Sequence, residues 1–166
     1  MARDFVADFH LMVTAEEVAK RHTEILINEL NMSARLMPGA EELLHWIQKK
    51  GYPSALVTSS DLNYAQTYTK MLGISGYLNC MVTAEDVSRG KPDPEPFLIG
   101  AQRIDRDPTQ CLVFEDSING VLAGKASGAL VIAVPSTKSD HEQMIGADYV
   151  IPSLVDAFQI LTKMGL

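Results

Sequence analysis

The chain has 166 residues, enough for one domain with a hydrophobic core and a small appendage. Acidic residues outnumber basic ones by 21 to 14, which gives a net charge of −7. This balance argues against nucleic acid or an anionic membrane as a partner, since both favour a basic surface. The longest apolar run, residues 129–135, is too short to span a bilayer, and no signal-peptide pattern is present. We expect a cytoplasmic protein with reduced cysteines.

Two helices are predicted in the first fifty residues. Thr14 and Glu17 have the spacing of a capping box, which predicts a helix from Thr14 to about Leu30. A linker follows at residues 31–37. Pro38-Gly39 opens a second helix, predicted over about residues 39–50.

From residue 52 onward, short apolar segments alternate with helical ones. Strands are predicted at 52–58, 78–83, 111–114, 130–134 and 149–151, and helices at 61–72, 95–104, 117–126, 140–145 and 154–164. Largely apolar strands that alternate with helices are typical of a parallel sheet covered on both faces. The pattern therefore predicts a doubly wound, Rossmann-like α/β domain.

A dinucleotide-binding domain is a poor alternative, because no G-x-G-x-x-G sequence follows any predicted strand. Gly120, Gly124 and Gly128 are spaced by four residues around one predicted helix. This spacing is better interpreted as close packing of the helix.

In a parallel sheet, ligands bind beyond the carboxyl ends of the strands. Three polar segments follow predicted strands: Thr58-Ser59-Ser60, a loop containing Lys91, and Glu115-Asp116. Taken singly, each segment is a weak signal: the first and third are better explained by helix capping, and the lysine by solvation. Together they place a hydroxyl, an ammonium group and two carboxylates at one edge of the sheet.

Adjacent carboxylates repel each other unless a positive charge lies close to both. Mg²⁺ takes one or two carboxylates together with water and substrate phosphate. A lysine and a hydroxyl suit the phosphoryl oxygens. The residues therefore favour Mg²⁺ as a cofactor and a phosphorylated ligand.

Three segments in order, LVTSS at 56–60, GKPDPEPF at 90–97 and CLVFEDSINGV at 111–121, resemble signature motifs two, three and four of the haloacid dehalogenase (HAD) superfamily. The resemblance, which includes MPGAEELL before the first strand, covers about residues 34–156. It is strongest to the subfamily of β-phosphoglucomutases and phosphatases of sugar phosphates, polyol phosphates and pseudouridine 5′-phosphate.

The resemblance implies a role for each polar residue. Thr58, helped by the backbone of Ser59, would bind a phosphoryl oxygen. Lys91 would bridge the phosphoryl group and the nucleophile, and Glu115 and Asp116 would hold Mg²⁺. The implied reaction is phosphoryl transfer from a small phosphorylated metabolite to an aspartate, followed by hydrolysis. A phosphomutase is the alternative enzyme.

The family's first motif, which carries that aspartate on the central strand, has no match in the sequence. Asp4 and Asp8 have the wrong spacing. Asp105 and Asp107 have the right spacing but lie in a polar loop that is better interpreted as a turn. We therefore expect this chain to lack the nucleophile and to be inactive alone.

The strand that would carry the nucleophile is also expected to be missing from the sheet. Its absence would leave a gap about one strand wide, roughly 4.8 Å, between strands 52–58 and 111–114. Residues 1–33 are interpreted as the remnant of a helical cap domain, and residues 34–166 as the core. The chain would then be the C-terminal portion of an N-terminally truncated phosphatase.

A second interpretation stays open. The chain could be a non-catalytic pseudo-phosphatase that binds a phosphometabolite or a partner protein. A partner segment would then complete the sheet.

Overall fold

The computed structural model describes residues 14, 16–18, 20–21, 35–135, 144 and 146–166. The chain divides into two compact units, residues 1–35 and residues 36–166. This division falls two residues after the boundary predicted between a cap remnant and a core. The identity of the first unit as part of a cap stays a prediction.

The capping box predicted in the first unit is present. The Glu17 carboxylate accepts hydrogen bonds from the Thr14 N–H at 2.8 Å and the Thr14 hydroxyl at 2.9 Å, and the Glu17 N–H donates back to that hydroxyl at 3.1 Å. The Thr14 N–H, the larger cause, and the Thr14 hydroxyl lower the pKa of Glu17. Residues 16–18 and 20–21 are helical, and the rest of the predicted helix lies outside the described residues.

The described part of the second unit alternates helices and strands, as predicted. In chain order its elements are α1 (Ala40–Lys49), β1 (Ala55–Val57), α2 (Leu62–Met71), β2 (Cys80–Val82), α3 (Glu95–Arg103), β3 (Leu112–Glu115), α4 (Ile118–Ser127), β4 (Leu130–Ala133), β5 (Tyr149–Val150) and α5 (Ala157–Lys163). Single 3₁₀ turns occur at Ser75–Tyr77, Pro108–Gln110 and Leu154–Asp156.

Several predicted bounds are wrong by a few residues. The first strand begins at Ala55 instead of residue 52 because side-chain contacts hold the segment before it. The Ser54 N–H donates to Asn79 Oδ1 at 2.9 Å, and the Ser54 hydroxyl donates to the Tyr77 carbonyl at 2.6 Å. The helix predicted at 154–164 begins with a 3₁₀ turn, and the helix predicted at 140–145 lies, apart from Met144, outside the described residues.

In the part of the chain that the structure describes, the strands pair in parallel and form two sheets. β1 pairs with β2, with Leu56 opposite Met81. β3, β4 and β5 form a three-stranded sheet in that order, with Val113 opposite Val131. Within the described residues, β1 and β3 are not hydrogen-bonded to each other, so each has a second edge without a ladder partner.

The larger sheet is covered on both faces, as expected of a doubly wound fold. Val113, Val131 and Ala133 point to one face and pack with Phe97 of α3 and Val121 of α4. The alternate residues Ile132 and Val134 point to the other face. They pack there with Leu43 of α1 and with Ala157 and Leu161 of α5. Because side chains alternate along a strand, one short sheet supplies both cores.

Neither cysteine forms a disulfide. Cys80 and Cys111 are free and half-buried, and burial raises the pKa of both thiols. Among the described residues, no helix is both long enough and apolar enough to cross a membrane.

An ion pair beside β2, between Arg103 at the end of α3 and Asp86 in the loop after β2, should make stability depend on pH. The Arg103 guanidinium donates to the Met81 carbonyl and to the Asp86 carboxylate. Arg103 first, and then the Thr83 N–H and hydroxyl, hold the pKa of Asp86 well below its ordinary value of 3.8. A carboxyl group with a lowered folded-state pKa stabilises fully above about pH 5, and the contribution is lost progressively as the pH falls from there toward the folded-state value.

We therefore expect the urea midpoint of the protein to fall more steeply between pH 5 and pH 3 than that of Asp86→Asn. Arg103→Met should flatten the same pH range, because it removes the larger cause of the shift. Identical slopes for the unchanged protein and Asp86→Asn would contradict this assignment.

Candidate functional site

The predicted polar residues lie where the parallel fold requires, at the carboxyl ends of strands. Thr58 follows β1 directly, and its N–H donates to the Val82 carbonyl at 2.9 Å. Lys91 lies in the loop between β2 and α3. Glu115 is the last residue of β3, and Asp116 follows it. Thr58, Glu115 and Asp116 thus lie at strand ends, and Lys91 reaches the same region from a loop.

Lys91 joins the ends of the two sheets. Its Nζ donates to the Val57 carbonyl, at the end of β1, at 3.2 Å, and also to the Glu115 carboxylate at the end of β3. The ammonium group lies 4.9 Å from the centroid of the Phe97 ring, close enough for a cation–π contact. Only 12% of the Lys91 side chain is exposed. The ammonium group is thus largely shielded from solvent and is held in a defined position by three partners.

Glu115 is more buried than Lys91, with 7% of its side chain exposed. Lys91 contacts one carboxylate oxygen, Oε1. The other oxygen, Oε2, accepts from the Asp116 N–H at 3.2 Å, the Ser117 N–H at 3.3 Å and the Ser117 hydroxyl at 3.0 Å. Ser117 also caps α4, because its hydroxyl oxygen accepts from the Gly120 N–H at 3.0 Å. The Glu115 carboxylate is thus held against the first turn of α4.

A second carboxylate, that of Glu95, orders the loop that carries Lys91. Glu95 accepts from the Ser88 N–H at 2.8 Å and the Arg89 N–H at 3.0 Å. The Ser88 N–H is the largest cause of the lowered pKa of Glu95. The Arg89 side chain pairs with both Glu95 and Asp93. The start of α3 is therefore tied to the part of the loop that directly precedes Lys91.

The turn after β1 carries the hydroxyl groups of Thr58 and Ser59. Thr58 Oγ1 accepts from the Ser60 N–H at 3.1 Å. Ser59 is exposed, and Asp61 caps α2 by accepting from the Tyr64 N–H at 2.7 Å. Because Asp61 performs the capping, the Thr58 and Ser59 side chains are not needed for it.

Asp105 and Asp107 form a turn, as the sequence indicated. Asp105 has a left-handed backbone, with φ of 54°. Asp107 is exposed and accepts from the Thr109 N–H at 2.9 Å. Neither residue lies at the carboxyl end of a strand, so they remain unsuitable as a catalytic pair.

The donor set fits Mg²⁺ as a two-carboxylate site. Glu115 and Asp116 supply hard oxygen atoms, but both oxygens of Glu115 are already hydrogen-bonded, whereas Asp116 is exposed. Across the part of the chain that is described, no cluster of three or more His, Cys, Asp or Glu side chains could hold a metal ion. A cation here would need further oxygen ligands from water, a phosphoryl group or another segment.

Sequence reasoning did not identify two residues that hold the site in place, Glu95 and Gly120. Glu95 carried no signal beyond its favourable position in the first turn of a helix. Gly120 was interpreted as a packing residue, but a Cβ there would collide with the Glu115 carboxylate. Gly124 packs against Val131, as the spacing predicted, and Gly128 ends α4 with a φ of 90°, in line with a helix predicted to end near this glycine.

A match to a family model identifies the family to which this fold and site belong. A family model of haloacid dehalogenase-like hydrolases matches residues 2–128, and the chain belongs to this family. The resemblance predicted from the three motifs is therefore confirmed.

Proteins similar to this chain include two phosphatases and a phosphomutase. A bifunctional riboflavin kinase/FMN phosphatase from Arabidopsis thaliana is 36% identical over 99% of this chain and 43% of its own length. Hexitol phosphatase A of Escherichia coli is 38% identical over 86% of this chain and 63% of its own length. The chain thus spans less than two thirds of the length of either curated relative. A crystal structure of β-phosphoglucomutase from Clostridium difficile matches with a TM-score of 0.76 at 26% identity, covering 90% of this chain and 64% of that one.

Proposed function

We propose that this chain is the phosphate-binding and cation-binding part of a phosphatase for a small phosphorylated metabolite, of the sugar phosphate or polyol phosphate class. The observation that carries the proposal is the buried Lys91 ammonium, fixed between the Val57 carbonyl and the Glu115 carboxylate at the ends of two parallel strands. The phosphatase names of the curated relatives support the reaction class.

Lys91, Thr58 and Ser59 would bind the phosphoryl group. The Lys91 ammonium has three protons, and two of them are directed to Val57 and Glu115. The third would donate to a phosphoryl oxygen. The Thr58 oxygen accepts from the Ser60 N–H, which leaves the hydroxyl hydrogen to donate to the same group. The Ser59 backbone would supply a further donor.

Glu115 and Asp116 would hold Mg²⁺. Asp116, which is exposed, would bind directly, whereas Glu115 would bind through water because its oxygens already accept from Lys91 and Ser117. When bound, the cation would neutralise charge on the phosphoryl oxygens. Lys91 would keep Glu115 oriented throughout.

The nucleophile would be an aspartate on a strand that inserts between β1 and β3. The unpaired second edges of these two strands, among the residues described, support this placement. The aspartate oxygen would attack phosphorus as the bond from phosphorus to the metabolite oxygen breaks, and that oxygen would take a proton from the second aspartate of the DxD sequence, so that the metabolite leaves as an alcohol. Water would then attack phosphorus, releasing phosphate and restoring the carboxylate.

The test compares two polypeptides with p-nitrophenyl phosphate and Mg²⁺. We expect no turnover from residues 1–166 alone. A longer polypeptide that adds a DxD-containing strand should turn over, and Lys91→Ala in it should lower kcat by about 10²- to 10³-fold, as removing a preorganised charge-stabilising group does.

Two results would contradict the proposal. Turnover by the 166-residue chain that Lys91→Ala abolishes would place the nucleophile within this chain. A folded longer polypeptide with no turnover would argue against the phosphatase.

A non-catalytic phosphometabolite-binding protein is the second candidate. It is favoured by the fact that Lys91 and Glu115 are already paired and buried in this chain. In that case inorganic phosphate should raise the melting temperature of residues 1–166, and the longer polypeptide should bind phosphate without turnover.

A further inference from the structure

Gly120 lies against the functional carboxylate, in the first turn of α4. A Cβ at this position would overlap with the carboxylate carbon and both carboxylate oxygens of Glu115. We propose that Gly120 is a positioning residue: its missing side chain leaves the space in which Glu115 is held and aimed at Lys91. The inference deepens the proposed function and rests on it, because it names a residue that sets the position of the phosphate-binding lysine.

Four groups surround the Glu115 carboxylate, and we call them together the carboxylate seat. They are the Asp116 N–H, the Ser117 N–H, the Ser117 hydroxyl and the Cα of Gly120. The Ser117 hydroxyl donates to Glu115 while its oxygen accepts from the Gly120 N–H. The seat therefore fixes Oε2 and leaves Oε1 for Lys91.

The effect of Gly120→Ala on the structure depends on which atoms the new Cβ would meet. The atoms in the way are the far end of a flexible side chain, so the Glu115 carboxylate can move while α4 stays in place. Once displaced, Oε1 would no longer hold Lys91, whose Nζ would keep the Val57 carbonyl and the Phe97 ring. We expect the fold to survive and the lysine to lose its fixed position.

Gly124 provides a matched control one turn further along the same helix. A Cβ at Gly124 would lie 2.8 Å from Val131 Cγ2 and 3.4 Å from Val113 Cγ1, both in the core. Gly124→Ala therefore disturbs packing without entering the carboxylate seat. The two variants separate a loss of helix packing from a loss of carboxylate position.

The experiment measures how fast each lysine of the folded 166-residue chain is reductively methylated by ¹³C-formaldehyde with cyanoborohydride as the reductant, and peptide mass spectrometry is the readout. The exposed Lys163 serves as the internal standard. Relative to it, Lys91 should react about tenfold faster in Gly120→Ala than in the unchanged protein, since a charge-assisted hydrogen bond is lost. Gly124→Ala should leave the Lys91 rate unchanged.

A double variant tests whether Gly120 acts through Glu115. Glu115→Gln should itself release Lys91, and adding Gly120→Ala should then produce no further increase. A general loosening of α4 would instead give additive effects. If Gly120→Ala does not fold, Ser117→Ala should raise the Lys91 rate and Ser117→Thr, which keeps the hydroxyl, should not.

The proposal is overturned if folded Gly120→Ala leaves Lys91 as protected as before, if Gly124→Ala exposes it equally, or if the double variant is additive. It is likewise overturned if Ser117→Ala has no effect where Gly120→Ala cannot be studied. Methylation does not require turnover, so a failed phosphatase assay would not be mistaken for a failure of this inference.

Discussion

Lys91→Met and Glu115→Gln should each lower the free energy of unfolding by about 3–5 kcal/mol, the usual cost of leaving one member of a buried charge pair alone. The two side chains are 12% and 7% exposed, so solvent compensates the remaining charge poorly. Loss of Lys91 also removes a hydrogen bond to Val57 and the contact with the Phe97 ring. The expected readout is a lower urea midpoint with an unchanged m-value.

The double variant, Lys91→Met with Glu115→Gln, should be less damaging than the two single variants added together. With both charges gone, the amide oxygen introduced at position 115 can still accept from the Ser117 N–H, and neither member of the pair is left as an isolated charge. We expect a coupling energy of about 1–3 kcal/mol, as found for residues in direct contact.

Lys125→Met is the matched control, because Lys125 also pairs with a carboxylate. Its pair with Asp148 is far more open, with side chains 38% and 32% exposed. An exposed pair contributes about 0–1 kcal/mol. If Lys91→Met costs no more than Lys125→Met, the Lys91–Glu115 pair is not buried in solution.

The layered fold was predictable because its signals are local. Capping residues and helix-ending glycines marked the helices, and short apolar runs marked the strands. The parallel order then placed Thr58, Lys91 and Glu115 at one edge, since the carboxyl ends of parallel strands meet there. This much of the site required no knowledge of any long-range contact.

The contacts within the site were not predictable in the same way. Lys91 and Glu115 are 24 residues apart, and their contact depends on the path of a loop that Glu95 ties down. The spacing of Gly120 and Gly124 shows that they share a helix face, but not which atoms meet that face. One meets a carboxylate and the other a core valine, a distinction that periodicity does not contain.

Gly39→Ala should lower the free energy of unfolding by about 2–5 kcal/mol, combining an unfavourable backbone conformation with a collision. Gly39 caps α1 with a φ of 87°. A Cβ there would lie 2.6 Å from the Leu154 carbonyl carbon and 2.9 Å from Val155 Cα. These are backbone atoms, which cannot rotate aside as the Glu115 side chain can. The whole turn at Leu154–Asp156 would have to move.

Gly73→Ala isolates the conformational part of that cost. Gly73 has a φ of 72°, and nothing lies within 4 Å of its would-be Cβ. Its replacement should therefore cost about 1–2 kcal/mol, the penalty for a left-handed L-residue alone. The difference between the two variants measures how tightly α1 approaches the turn.

Trp46 fluorescence reports whether Gly39→Ala displaces α5 relative to α1. Trp46, the single tryptophan, lies on α1 with its ring 6.2 Å from that of Phe158 on α5. If the turn moves, its neighbour α5 should move with it, and Trp46 emission should shift to longer wavelength in the folded variant. Gly73→Ala should leave the emission unchanged. Equal costs for the two variants, with no shift in either, would mean that α1 does not lie against the turn.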